Sequence, residues 1–371
     1  MKTNLSVRTL AALALACLWG VAAAKSELPK ESLDSTLQLA CVHDDHSLIL
    51  MRGDGSNRTE LVKTEGNIIS PSWSPDGRKI AFYAVGGHGV PILSEFTIRL
   101  CSYDIAASKI DTLTEVDAEI KRGAKDKYVA QQPPVWIDSN RLTFLDTKGI
   151  HLTDLGTSTT ETIVASDDIG DYDVWPQSGG ILYLQGKRLL LYDPANGESR
   201  DLFAAGETVL PKKEFDCLAA SPAGTIIALG DWNKLYLIDT ERREIAREAK
   251  LPGAASDLLW SADGRMVFCL TGTGTKQIGD QSSVNPTGSS AGAFQVSSFS
   301  ADDEKPSVLY KKLRFDVTWT QLDPSPDGRW LLFISNDLNE TKHYLYVLSA
   351  EGKGIRKLAQ DGEYAYPVWR P

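Results

Sequence analysis

Basic residues are in deficit: 39 Lys and Arg stand against 49 Asp and Glu, a formal net charge of −10. A protein that tracks nucleic-acid phosphates needs a basic footprint, so that class of partner is excluded. Long apolar runs are missing after the first two dozen residues, which leaves no segment able to cross a bilayer as a helix. Cysteine is scarce, with five in the chain, and no two stand at a CxxC or CxxxxC spacing. A zinc knuckle or a thioredoxin-like redox pair therefore has no basis. Histidine is equally scarce, at five, and a channel metal centre built on several imidazoles has little to draw on. What is present is 42% hydrophobic and 24% charged residues. That is enough apolar material for a sizeable core, and it excludes global disorder, collagen and coiled coil.

The first 24 residues read as an address. Lys2 and Arg8 form a basic start, Thr9 to Val21 is apolar, and Ala22-Ala23-Ala24 offers a small-residue cleavage point before Lys25. A cleaved signal peptide and a periplasmic or secreted product are expected. Cys17 offers a lipid attachment point, the minor alternative, because the apolar run continues past it and no Leu stands three residues upstream. Without Cys17, four cysteines remain, Cys41, Cys101, Cys217 and Cys269. In an oxidising compartment disulfides are allowed but not required, and burial as small apolar residues on strands is the reading favoured here.

A repeat organises the rest. Ser70-Pro71-Ser72-Trp73-Ser74-Pro75-Asp76-Gly77-Arg78-Lys79-Ile80-Ala81-Phe82 returns as Trp260-Ser261-Ala262-Asp263-Gly264-Arg265-Met266-Val267-Phe268 and as Ser325-Pro326-Asp327-Gly328-Arg329-Trp330-Leu331-Leu332-Phe333. Weaker copies start at Trp136, Trp175 and Ala220, and a truncated seventh ends the sequence at Trp369-Arg370-Pro371. Each copy is followed by period-two apolar runs broken by Asp-Gly or Asn-Gly turns, the signature of hairpins. Four strands per repeat of about 40 residues describe a β-propeller. The truncated copy has one strand, and Leu37 to Val42, Ser47 to Met51 and Thr59 to Val62 supply the three it lacks. The expected fold is therefore all-β: a seven-bladed β-propeller of four-stranded blades over 36–371, its last blade completed by N-terminal strands, after a signal peptide (1–24) and a leader (25–35). Trp73, Trp136, Trp175, Trp260 and Trp369 recur at one repeat position, so packing between blades is expected of them.

The motif Pro-x-Trp-Ser-Pro-Asp-Gly-Arg-Lys-Ile-Ala-Phe at 71–82 resembles the TolB-type propeller repeat, a relative of the WD repeat, and the resemblance spans 36–371. TolB itself carries an N-terminal α/β domain, for which this sequence has no room, and six blades where seven are counted here. The resemblance implies an envelope binding module rather than Tol-Pal energy coupling.

Loop lengths point to a face. In an up-and-down blade the first-to-second and third-to-fourth turns share one side, and here they are tight: Asp76-Gly77, Asp263-Gly264, Asp327-Gly328 and Asp54-Gly55. The insertions Val85 to Leu93, Thr271 to Gly292 and Val116 to Gln131 fall on the opposite side, where binding is expected. Candidate partner-binding residues there are Arg122, Lys125, Lys127, Tyr128, Asp171, Tyr172, Asp173, Trp232, Trp319, Tyr364 and Tyr366, since aromatics and Arg are enriched at interfaces. His43, Asp44, Asp45, His46, His88 and His343 share rim loops, but no spacing fixes two on one side, so no metal is expected. Gly288-Ser289-Ser290-Ala291-Gly292 matches G-x-S-x-G without the strand, strained turn and helix that hydrolase chemistry requires. The functional expectation is a non-catalytic module that binds a protein or envelope component as a monomer, with no cofactor. The alternatives are a propeller lyase or hydrolase acting on a polysaccharide or peptide, and a small-ligand binder in the central channel.

Overall fold

A computed structural model describes residues 26–27, 33–86, 97–117, 132–203, 210–211, 214–272, 292–300, 305–315, 322–336 and 342–371. The first described strands are β1 (Ser26–Glu27), β2 (Gln38–His43), β3 (Ser47–Arg52) and β4 (Thr59–Lys63). Blade 1 is β5 (Asn67–Trp73), β6 (Lys79–Gly86), β7 (Thr97–Asp104) and β8 (Lys109–Val116). Blade 2 is β9 (Val135–Trp136), β10 (Arg141–Asp146), β11 (Gly149–Asp154) and β12 (Thr159–Ala165). Blade 3 is β13 (Ile169–Trp175), β14 (Gly180–Gln185), β15 (Arg188–Asp193) and β16 (Glu198–Asp201). Blade 4 is β17 (Cys217–Ala220), β18 (Ile226–Gly230), β19 (Lys234–Asp239) and β20 (Glu244–Lys250). Blade 5 is β21 (Ala255–Trp260), β22 (Met266–Gly272), β23 (Gly292–Ser300) and β24 (Ser307–Phe315). Blade 6 is β25 (Asp323–Pro324), β26 (Trp330–Asn336), β27 (His343–Ser349) and β28 (Gly354–Lys357), and β29 (Tyr364–Trp369) follows.

These strands form seven sheets, antiparallel apart from the short parallel pairing of β1 with β28, with no helix among the described residues. Blade 7 has the order β29-β2-β3-β4, with Leu39 opposite Trp369 and Ala40 opposite Val368, so the two ends of the chain clasp the ring as the sequence predicts. The first strands of successive blades touch one another around the circle and line the channel.

Burial is graded from the channel outwards. Second strands such as β10 and β14 are nearly continuous buried runs because each is covered on both faces by neighbouring blades. Fourth strands such as β8 and β12 are largely exposed and polar. The repeat motif is turn chemistry: the Ser74 hydroxyl donates to Asp76 Oδ1 at 2.7 Å and accepts from the Lys79 amide at 2.9 Å, while Gly77 sits at φ +64°. Ser261 and Ser325 repeat the arrangement with Asp263 and Asp327. The Asp-Gly pairs therefore close hairpins, since Asp accepts local hydrogen bonds and Gly takes positive φ without a Cβ clash.

One equivalence differs from the sequence alignment. Trp73 pairs with Ile80, seven residues on, and in blade 3 the residue that pairs with Ile181 is Val174. Trp175 pairs with Gly180, one place further along, although its ring is still buried in the cluster shared by blades 3 and 4. Aligning by tryptophan shifted that blade by one residue. All four remaining cysteines are buried and unpaired.

Candidate functional site: an acid-lined channel

The first strands hold the blades together by side chains that reach into the adjacent blade, the indoles backwards to the preceding one. The Trp73 indole donates to the Val368 carbonyl at 3.4 Å, Trp136 to Ser72 at 3.3 Å and Trp260 to Ala219 at 3.1 Å. At three junctions a carboxylate does this work from the other side. Asp171 Oδ2 accepts from the Leu218 amide at 2.7 Å and Asp173 Oδ2 from the Ala220 amide at 2.9 Å. The Leu322 amide donates to Asp257, and the Trp369 amide to Asp323.

The four acids occupy two register positions. Asp173 lies opposite Leu182 and Asp323 opposite Leu332, the place that Ser72 takes opposite Ala81 in blade 1. Asp171 and Asp257 lie at the bulges of β13 and β21, where the ladder shifts by one. All four are half-buried. Burial pushes Asp173 and Asp257 up to about 7 and Asp323 up to about 8; the amides they accept from pull the other way, and the neighbouring acids add repulsion. Asp171 is the acid that raises both Asp173 and Asp257, and Asp257 in turn raises Asp323. Asp173, Asp257 and Asp323 thus carry little charge below neutrality, and above it they add to the repulsion within the channel wall.

Of the predicted residues, Asp171 and Asp173 join this wall. Tyr172, between them, is 2% exposed and its hydroxyl donates to the Thr143 carbonyl at 3.1 Å, tying blade 3 to blade 2. Gln132 adds to that junction, donating to Asp171 Oδ1 at 2.6 Å and to the Tyr172 carbonyl at 2.9 Å. Tyr364 and Tyr366 are also buried, the first with its hydroxyl on Asp361 at 2.6 Å. Those three rings face the core and offer a partner little surface.

Trp232 is different. It stands 49% exposed in the turn between β18 and β19, a connection from second to third strand, the side on which the sequence reading puts its insertions. Buried Asp231 fixes that turn by accepting from the Asn233 and Lys234 amides at 2.9 and 2.8 Å. Arg122, Lys125, Lys127, Tyr128, Trp319, His88 and Ser290 lie outside the described residues. His43, Asp44, Asp45 and His46 share one turn while His343 opens β27, and no set of three metal-ligating side chains converges among the described residues.

Asp257 and Asp323 escaped the sequence reading. Their signal was Asp in a first strand, where strand propensity disfavours it. A second missed feature is His151, buried with Nε2 2.7 Å from Asp146 Oδ1 and Nδ1 3.1 Å from the Thr162 hydroxyl. Hydroxyl, imidazole and carboxylate stand in line, but Thr162 is on the outermost strand of blade 2, away from the channel. The relay ties β11 to β12 and to the turn after Asp146.

No protein-family model matches the sequence, and no curated protein matches it. Solved structures do. TolB from Acinetobacter baumannii superposes with a TM-score of 0.52 at 16% identity, over 92% of this chain and 68% of that one. The Cps50 (Swd1) β-propeller domain from Myceliophteria thermophila gives 0.53 at 14%, over 81% and 89%. A functionally unknown protein from Desulfotomaculum acetoxidans gives 0.56 at 12%, over 89% and 98%. At these identities the likeness is one of fold: a TolB-like and WD-like propeller.

Proposed function

We propose that this propeller is a non-catalytic binding module, exported to the periplasm or beyond, which holds a protein or envelope component on its loop-rich face. The observation that carries the reading is Trp232, an exposed ring on a turn pinned by a buried aspartate, on the side where the sequence places its long insertions. A large apolar ring held rigid costs little entropy when it is covered, which is why such residues anchor interfaces. Fold likeness to TolB supports a binding role only by analogy. The test is capture of partners from envelope extract by the mature protein and by Trp232→Ala, with folding of both checked by circular dichroism. Loss of a partner in the variant supports the reading; an unchanged partner set refutes the role given to Trp232.

A second reading rests on a separate observation. The four channel carboxylates favour a small cationic ligand over an anionic one, because above neutrality they present negative potential within low-dielectric walls. Such binding would strengthen as pH rises from 6 to 8.5 and weaken in Asp173→Asn, whereas capture through Trp232 would be insensitive to both.

A further inference from the structure

Blade 2 carries a polar relay that the binding reading does not use. His151 on β11 is 7% exposed and Asp146 at the end of β10 is 6% exposed, whereas Thr162 on β12 is open to solvent. The register explains how the three meet. Gly149 faces Ala165 and Ile150 faces Val164, so an unbroken ladder would set His151 against Ile163; the shift at that point sets it against Thr162 instead. Bulges of this kind re-aim a side chain. The Phe144 ring stacks on the imidazole at 4.8 Å and 16°, and Phe144 belongs to the core that blade 2 shares with blade 1, so the plane of the imidazole is fixed.

Proton placement follows from the partners. Burial acts to raise the Asp146 carboxyl, but the bonds from His151 and from the Lys148 amide, each at 2.7 Å, outweigh it and hold the group below the ordinary carboxylate value. An ionised carboxylate only accepts, so Nε2 of His151 carries the hydrogen shared with Asp146. Nδ1 of the neutral ring is then a bare acceptor, and the Thr162 hydroxyl, 3.1 Å away, donates to it. An exposed hydroxyl that donates to an imidazole, whose far nitrogen is held by a buried carboxylate, is the arrangement that activates a nucleophile. Thr160, two residues earlier and also exposed, shows the difference. Its hydroxyl meets that of Thr153 at 2.9 Å, a partner that takes no proton at neutral pH.

We infer that Thr162 is an acyl-acceptor site, a hydroxyl that takes an acyl group from an activated carboxylic ester. Thr162 Oγ1 attacks the ester carbonyl carbon, and its proton passes to His151 Nδ1. As the new ester bond forms, the C–O bond to the leaving group breaks, and that oxygen takes the proton from Nδ1. The imidazolium formed in between is stabilised by Asp146, in buried surroundings where water screens the attraction less. The products are O-acyl-Thr162 and the released alcohol, with His151 and Asp146 as they began. One acyl group per chain is a covalent modification and not a turnover, so it is compatible with a binding module. The site is on the outer strand of blade 2, apart from Trp232 on blade 4, and the inference does not depend on the role given to that residue.

The test uses 4-nitrophenyl acetate at pH 8 as probe, with release of 4-nitrophenolate read by absorbance and the acetylated residue located by mass spectrometry of acid-quenched digests. The mature protein is compared with Thr162→Val, which removes the hydroxyl at an exposed position, with Thr162→Ser, which keeps one, and with His151→Gln, folding being checked by circular dichroism. Thr160 is the internal control. Thr162 should acetylate at least about a hundredfold faster than Thr160, the contribution expected of a positioned general base. Thr162→Val should lose the fast product, Thr162→Ser should keep it, and His151→Gln should bring Thr162 down to the rate of Thr160. If His151→Gln does not fold, the comparison of the two threonines in the mature protein decides. Equal rates at Thr162 and Thr160, label confined to lysines such as Lys148, or a fast reaction that survives His151→Gln overturns the proposal.

Discussion

Replacing Asp173 by Asn should change how stability depends on pH more than it changes stability itself. Asp173 titrates near 7 in the folded protein and near 3.8 when unfolded. Its folded value is raised, so its contribution is fully present below about pH 4 and is lost as pH rises through the folded value. Between pH 5 and pH 8 the wild type therefore loses roughly 2–3 kcal/mol at this site, at about 1.4 kcal/mol per pH unit until the folded value is reached. Asn does not titrate and loses none of it. The substitution carries a constant cost, because Asp173 accepts from two amides, Val174 and Ala220, and the Asn amide group would turn a donor towards one of them. That cost is the same at every pH, so the difference between pH 5 and pH 8 isolates the charge. Urea unfolding followed by tryptophan fluorescence at pH 5, 6, 7 and 8 measures it. The two curves of stability against pH should diverge by about 2–3 kcal/mol in favour of Asp173→Asn at the alkaline end. Parallel curves would refute the half-buried, mutually repelling carboxylates described for the channel.

Two glycines at positive φ should respond differently to alanine. Gly328, at φ +70° with nothing near its missing Cβ, should cost about 1 kcal/mol of backbone strain on thermal unfolding. Gly149, at φ +135° with the Val164 carbonyl oxygen 1.9 Å from an added Cβ, should cost several-fold more or fail to fold. The buried thiols of Cys41, Cys217 and Cys269, whose ionisation burial pushes up, should resist a thiol reagent in the native protein. After denaturation without reductant, four reactive thiols should appear in protein recovered from the export compartment and five in protein that keeps residues 1–24; fewer than four would show disulfides that the fold does not contain.

The ring was legible because its turns are chemically loud. Ser74, Asp76 and Gly77 announce a hairpin wherever they recur, and period-two apolar runs between them leave few alternatives to four-stranded units. The clasp was legible from what the last copy lacked. Registers were less so: Trp175 looks like Trp73 by residue type, but pairing depends on the number of residues in the following turn. The channel acids were half visible. The place of Asp171 and Asp173 at the start of a blade is legible; that they reach Leu218 and Ala220 one blade further on is not. That contact depends on how neighbouring sheets are set around the ring, which no local pattern encodes. Burial separated Tyr172, Tyr364 and Tyr366 from Trp232 for a related reason: aromatic character is shared by anchors of a core and anchors of an interface, and only accessible area tells them apart.

The clasp between β29 and β2 also bears on how many blades such a ring can have. Leu39 and Trp369 are 330 residues apart, so their pairing closes a loop that runs round the whole ring. Chain entropy makes that closure only about 2 kcal/mol costlier than closing a loop of one blade, and one blade more or fewer alters it by about 0.1 kcal/mol. Blade number is therefore almost free as far as the polymer is concerned. It is held at seven by the angle at which one sheet seats against the next, and so by the indole and carboxylate latches that set that angle.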